Sequence, residues 1–177
     1  MQEQTTVIAG IVIPSVSPVF LSIVAVHIAI ALTAVVAGVG AMLSQKGTNT
    51  NVRFGTIYFW ALFGVFVSAT ALSFMRWPAN RHLFIIGTTA FILALVARTA
   101  ARAHWPQWAR IHLIGMGFSY IALLVAFYVD NGRNLPLWRM LPPVMYWLMP
   151  LSFGIPLIVR ALLRNPLTRL GYRAPTL

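Results

Sequence analysis

The apolar positions of this chain fall into five long runs, separated by short polar segments that carry nearly all of its charge. Residues 18–43, 54–75, 83–103, 111–129 and 144–163 each come near the ~20 residues needed to cross ~30 Å of hydrocarbon. Lipid offers no hydrogen-bond partner, so the backbone groups of such runs must pair internally, which predicts α-helices. A further apolar stretch, Val7 to Phe20, is short and broken by Pro14 and Pro18. It reads as an extended or interfacial lead-in rather than a span. The expected fold class is an all-α integral membrane protein with five transmembrane helices. A lead-in occupies residues 1–17, the membrane domain 18–163 and a basic tail 164–177.

The polar and small positions within the runs predict how the helices meet. Helical spacing aligns His27, Ala31, Ala34 and Gly38 in the first run, and Ala61, Gly64, Ser68 and Ala71 in the second. Gly87, Ala90, Ala94, Ala97 and Ala101 form the stripe of the third, and His112, Gly115, Ser119, Ala122 and Ala126 that of the fourth. Small residues let membrane helices approach closely in the absence of a hydrophobic drive between them. Helices one to four are therefore expected to form one tight bundle. The fifth differs: Pro150 and Pro156 flank Gly154 and predict a kink or local opening, with Ser152 placed to satisfy freed backbone groups.

Composition supports the membrane reading and narrows the chemistry. The chain is 59% apolar and 8% charged, against about 45–50% and about 25% in soluble domains. It has no cysteine, which removes disulfides and thiolate metal sites. Its only acids are Glu3 and Asp130, neither inside a run. Paired carboxylates, a membrane-embedded cation ligand, a phosphate-binding glycine loop and a metalloprotease motif are all absent. No catalytic residue is predicted, and a non-enzymatic protein is favoured.

The net charge of +11 changes the picture less than its size suggests, because the basic residues sit at the ends of the apolar runs rather than in one cluster. That distribution argues against nucleic acid as a partner and for membrane topology. Lys46, Arg53, Arg98, Arg102, Arg110, Arg160, Arg164, Arg169 and Arg173 fall on one side. Arg76, Arg81, Arg133 and Arg139 fall on the other. The basic excess predicts a cytoplasmic C-terminus and an outside N-terminus in a cell inner (plasma) membrane. Met1 to Thr6 has no basic segment of a cleavable signal peptide. Arg160, Arg164, Arg169 and Arg173 are expected to meet anionic lipid headgroups of the bilayer. Five spans are few for a transporter acting alone, so a homo-oligomer or a membrane partner is expected.

Six residues stand out as candidates for ligand binding: His27, Ser68, Arg98, His112, Ser119 and Tyr120. His27 lies ~13 Å inside the first run at 1.5 Å per residue, where ionisable groups are rare and usually face an interior or a cavity. It could serve as a haem or metal ligand, a proton-relay group or a hydrogen-bond donor to quinone, or simply be a neutral histidine bonded to a neighbouring helix. Haem b held by His27 and His112 would need both ring nitrogens within ~4–5 Å of each other, yet the two residues begin near opposite membrane faces. Arg98 reads either as a snorkelling side chain or as the mark of an anion or quinone site. His82 and His104 belong in or beside loops. No cofactor is predicted, with haem b or quinone the alternative.

Several stretches together resemble a known family. They are the His27 helix, Lys46-Gly47 followed by Arg53-Phe54-Gly55, the segment from His112 to Tyr120 with Ala126-Phe127, and Pro150 through Ile158. On these the chain resembles the bacterial membrane-protein family catalogued as domain of unknown function twenty-three hundred and six, over about residues 22–163. The resemblance implies a small multi-helix membrane protein and supplies no activity or catalytic residue. Such proteins typically carry a histidine between the Lys-Gly pair and the following glycine, where this chain has Asn51. The expected function is a small-molecule-binding, transport or accessory membrane module with an interior polar site around His27. The alternatives are a redox protein holding haem b or quinone, and a structural subunit of a membrane complex.

Overall fold

The computed structural model describes residues 5–8, 11–14, 17–77, 79–165 and 168, the first two segments by their backbone alone. Those segments pair as a small antiparallel hairpin, β1 (Thr5–Ile8) with β2 (Ile11–Pro14), in the register Thr5–Pro14 to Ile8–Ile11. The lead-in is thus extended as far as Pro14. From Pro18 onward it is helical, because Pro at the first helical position forfeits only an N–H that would be unpaired anyway.

Five α-helices follow: α1 (Pro18–Leu43), α2 (Asn49–Met75), α3 (Arg81–Arg102), α4 (Trp108–Asn131) and α5 (Met145–Arg164). All five are long and apolar enough to cross a membrane. Two single 3-10 turns, Gly132–Asn134 and Trp138–Met140, link the last two. Large apolar side chains including Leu32, Val36, Phe74, Phe153 and Leu163 stand more than half exposed around the bundle. A surface this apolar needs lipid around it, and the protein is a multi-pass helical membrane protein.

Local chemistry sets the helix limits. Ser17 Oγ accepts a hydrogen bond from the Phe20 N–H and caps α1. At its far end, Lys46 Nζ reaches back to the carbonyls of Ala41 (2.7 Å) and Met42 (3.3 Å), and Asn51 Nδ2 donates to Ala41 O at 2.7 Å. Gly47 takes a φ of +82° in the turn between α1 and α2, a conformation that costs glycine little. Thr48 then caps α2 by accepting from the Asn51 N–H. This cap starts α2 five residues before its apolar run, so the polar segment 49–53 is helical too.

The interfaces between α1 and α2 and between α3 and α4 are the most extensive, so the bundle is built from two antiparallel hairpins. The stripes of small residues lie at these interfaces: Ala34, Ala94 and Ala97 are fully buried, and Gly38 and Gly115 are buried beside them. Gly38 lies against the Tyr120 ring, joining the first hairpin to the second. One core groups Ala34, Ala37, Tyr58, Leu62, Val65, Ala90, Ala94 and Leu123. A second, of Ile86, Ile121, Val125 and Ile158, holds α5 on α4.

The α4–α5 contact is reciprocal. Ile158 of α5 fills the space over Gly117 of α4, and Ile121 of α4 fills the space over Gly154 of α5. The two residues on each helix are one turn apart, so an antiparallel crossing brings each isoleucine opposite a glycine. Helix α5 runs without interruption through Pro150 and Pro156. Ser152 donates to Met149 O at 2.9 Å; the carbonyls that the prolines leave without a donor are those four residues earlier, at Tyr146 and Ser152 themselves. The glycine between the prolines therefore serves packing against α4.

Candidate functional site

The six candidate residues occupy three levels of the bundle rather than one site. At one end, α1 presents His27 on the face that carries Ala34 two turns later, toward α2. There His27 Nδ1 lies 2.8 Å from Ser68 Oγ. Gly64, one turn before Ser68, lies under Ile30 of α1. Ser68 Oγ also lies 2.7 Å from Gly64 O and 3.1 Å from Val65 O. A hydroxyl has one proton, and a carbonyl can only accept. With the Ser68 proton on a carbonyl, its oxygen accepts from the His27 Nδ1–H.

This arrangement leaves His27 Nε2 as a lone-pair acceptor. Among the described residues, the buried side-chain polar atoms without a partner are Thr70 Oγ1 and Thr88 Oγ1. Among the described residues His27 Nε2 belongs neither to these nor to any hydrogen bond, so it is open to a molecule from outside the bundle. Asp130, exposed near the end of α4, lies within electrostatic range of both His27 and His82. His82 is exposed in the first turn of α3, and His104 is exposed in the turn after α3 with a φ of +50°. Among the described residues no three His, Asp or Glu side chains converge to hold a metal ion.

In the middle of the bundle, Tyr58 Oη and Ser119 Oγ are 2.8 Å apart, and Ser119 Oγ also lies 2.8 Å from Met116 O. Tyr120 donates to Val35 O at 3.2 Å, and its ring is tilted against that of Tyr58 at 5.9 Å. These groups are saturated by one another, with Tyr58 only 2% exposed. They form a polar lock between the two hairpins. Ser119 and Tyr120 therefore do not join His27. Gly38, which abuts Tyr120, is eleven residues along α1 from His27, an axial distance of about 16 Å.

Sequence reasoning passed over Tyr58, which sits in the aromatic segment Ile57-Tyr58-Phe59-Trp60. Its spacing from Leu62 and Val65 was the available signal, since a tyrosine on a core face has to find a partner for its hydroxyl.

At the opposite end, His112 Nδ1 donates to Ala97 O at 3.1 Å. The neighbouring Arg98 folds its guanidinium over the Phe59 ring, 4.5 Å from the centroid. His112 begins α4, about 12 Å along the axis from Tyr120 and on the other side of it from His27. The two histidines are thus separated by roughly 28 Å along the bundle, and no single iron can take both. Arg110 Nε donates to Thr168 O at 2.6 Å, drawing the start of the tail to α4. Arg160 and Arg164 end α5, while Arg169, Arg173 and Glu3 lie outside the described residues.

Comparison with protein-family models, with curated proteins and with solved structures finds no match to this chain.

Proposed function

We propose that the protein is a non-enzymatic membrane module that binds a small lipid-phase molecule at His27, for transport or as an accessory to a membrane partner. The observation that carries this reading is the His27–Ser68 pair at 2.8 Å, which fixes one ring nitrogen and frees the other. A neutral imidazole oriented in this way accepts a hydrogen bond at Nε2. It favours a molecule that offers a donor, such as a hydroxyl or a protonated acid. Membership in the family of unknown function resembled by the sequence belongs to this proposal. So do a bacterial inner-membrane location with the N-terminus outside and the C-terminus cytoplasmic, and assembly as a homo-oligomer or with a partner.

The redox alternative narrows under the same geometry. A hydroquinone fits the Nε2 acceptor, and haem b would have His27 or His112 as an axial ligand but not both. Organic extraction of the purified protein, followed by mass spectrometry, tests the proposal. A lipid-phase compound is expected with wild type and with His112→Ala, and is expected to be lost with His27→Ala. Equal recovery from all three proteins would sink the His27 site. An oxidised-minus-reduced spectrum of the same samples distinguishes haem, through a Soret band that disappears with its ligand.

A further inference from the structure

The end of the bundle that carries His112 is electrically unlike the rest of the chain. Arg98 lies about one turn inside the end of α3. It is partly buried against Phe59, and among the described residues no oxygen accepts a hydrogen bond from its guanidinium. Arg102 follows it one turn later. Lys46, from the α1–α2 turn, and Arg98 both lie within electrostatic range of His112. Among the described residues none of these has a carboxylate to offset it, since Asp130 is at the far end of α4. Stacking on an aromatic face uses the plane of the guanidinium and leaves its N–H edge free. That edge has the geometry for two parallel hydrogen bonds to a phosphate or carboxylate.

Arg98 keeps a guanidinium edge without an acceptor among the described residues, and Lys46, its Nζ on the carbonyls of Ala41 and Met42, adds positive charge at the same end; such a placement suits an anion. We propose that Arg98, with Lys46 and His112, forms a binding site for a phosphate group, separate from the His27 site. Arg98 supplies the bidentate contact. Lys46 supplies charge from the exposed turn, and His112 lies beside them with its Nδ1 committed to Ala97 O and its Nε2 outside that bond. Phosphate of this placement comes either from the headgroup of an anionic phospholipid or from a soluble phosphate-bearing molecule.

Two measurements test the site and separate its sources. The full chain is reconstituted in nanodiscs of phosphatidylcholine and phosphatidylglycerol, released, and weighed intact by native mass spectrometry. In parallel, the detergent-solubilised protein is heated with and without inorganic phosphate. A retained phosphatidylglycerol that falls about fivefold or more in Arg98→Gln and in Lys46→Gln, but not in Arg164→Gln, identifies a lipid headgroup site. Stabilisation by inorganic phosphate that disappears in the same two variants, without a retained lipid, identifies a soluble ligand. Retention and stabilisation unchanged in Lys46→Gln and Arg98→Gln, or reduced as much by Arg164→Gln, would overturn the proposal. Lys46 is exposed, so its variant keeps the test open if Arg98→Gln does not fold.

Discussion

The two hairpins are of similar extent but are held together by different means. In α3–α4 the contact is close to backbone against backbone. A Cβ on Gly115 would lie 2.8 Å from the Ala97 Cβ and 2.9 Å from the Leu93 carbonyl oxygen, and His112 is spent on Ala97 O. In α1–α2 the close contacts are made by side chains: Ile30 over Gly64, Phe54 over Gly40, and His27 with Ser68. Each hairpin has one inward histidine with its Nε2 open, but His27 Nδ1 bonds a side chain of the facing helix whereas His112 Nδ1 is tied to a backbone carbonyl. A histidine at helical spacing among small residues is therefore no index of a site by itself. What its Nδ1 bonds to, and whether the neighbouring helix leaves space, decide its role.

That contrast predicts a large difference between two identical substitutions. Gly115→Ala has no side chain to push aside, only the α3 backbone and a Cβ, so the helices must part. A cost of about 2–3 kcal/mol is expected, read as a lowered thermal midpoint in detergent. In Gly64→Ala the new methyl meets Ile30 Cγ2 at 3.0 Å, a single branch methyl that needs to give by only a few tenths of an ångström. The gain of ~1 kcal/mol in helix propensity offsets most of that strain, and the midpoint should hardly change. Equal losses at the two positions would abolish the distinction between the hairpins.

A smaller effect is expected where the hairpins meet each other. Ser119→Ala strands the buried Tyr58 hydroxyl and should cost about 1–3 kcal/mol. Tyr58→Phe removes the same bond but leaves Ser119 its Met116 carbonyl, so about 0.6 kcal/mol is expected. The order of the two midpoints is the measurement; a reversal would mean that Tyr58 acts through its ring packing on Tyr120 and not through its hydroxyl.

These elements differ in how far the sequence revealed them. The five helices and the stripes on α1, α3 and α4 were legible because lipid imposes long apolar runs and close packing demands small residues at helical spacing. Asn49 to Arg53 were left out of α2 because hydropathy registers polarity, whereas Thr48 caps and starts a helix regardless of it. The His27–Ser68 pair could be anticipated residue by residue but not as a pair, since helix rotation and depth are set by tertiary contact. The same gap joined Ser119 and Tyr120 to His27, when axial rise places them about 16 Å away. The prolines of α5 pointed to a kink or local opening; the reciprocal Gly117–Ile158 and Gly154–Ile121 contacts that seat the helix on α4 are properties of two helices together and are invisible in either alone.

The smallest expected effect lies at Asn51, where the resemblance to a family raised the question of a missing histidine. Asn51 Nδ2 donates to Ala41 O, an end carbonyl of α1 that Lys46 Nζ also reaches at 2.7 Å. Because the carbonyl keeps one donor, Asn51→Ala should cost only about 0.5 kcal/mol. Double replacement with Lys46→Ala leaves Ala41 O without either donor, so the two losses should exceed their sum. A histidine ring N–H can make the same bond, so Asn51→His should be neutral in the same melting experiment. Position 51 is then a clasp on the hairpin joined by side chains, and asparagine fills it as well as histidine does. Additive losses in the double variant, or a destabilising Asn51→His, would remove that clasp from the account of how α1 and α2 are joined.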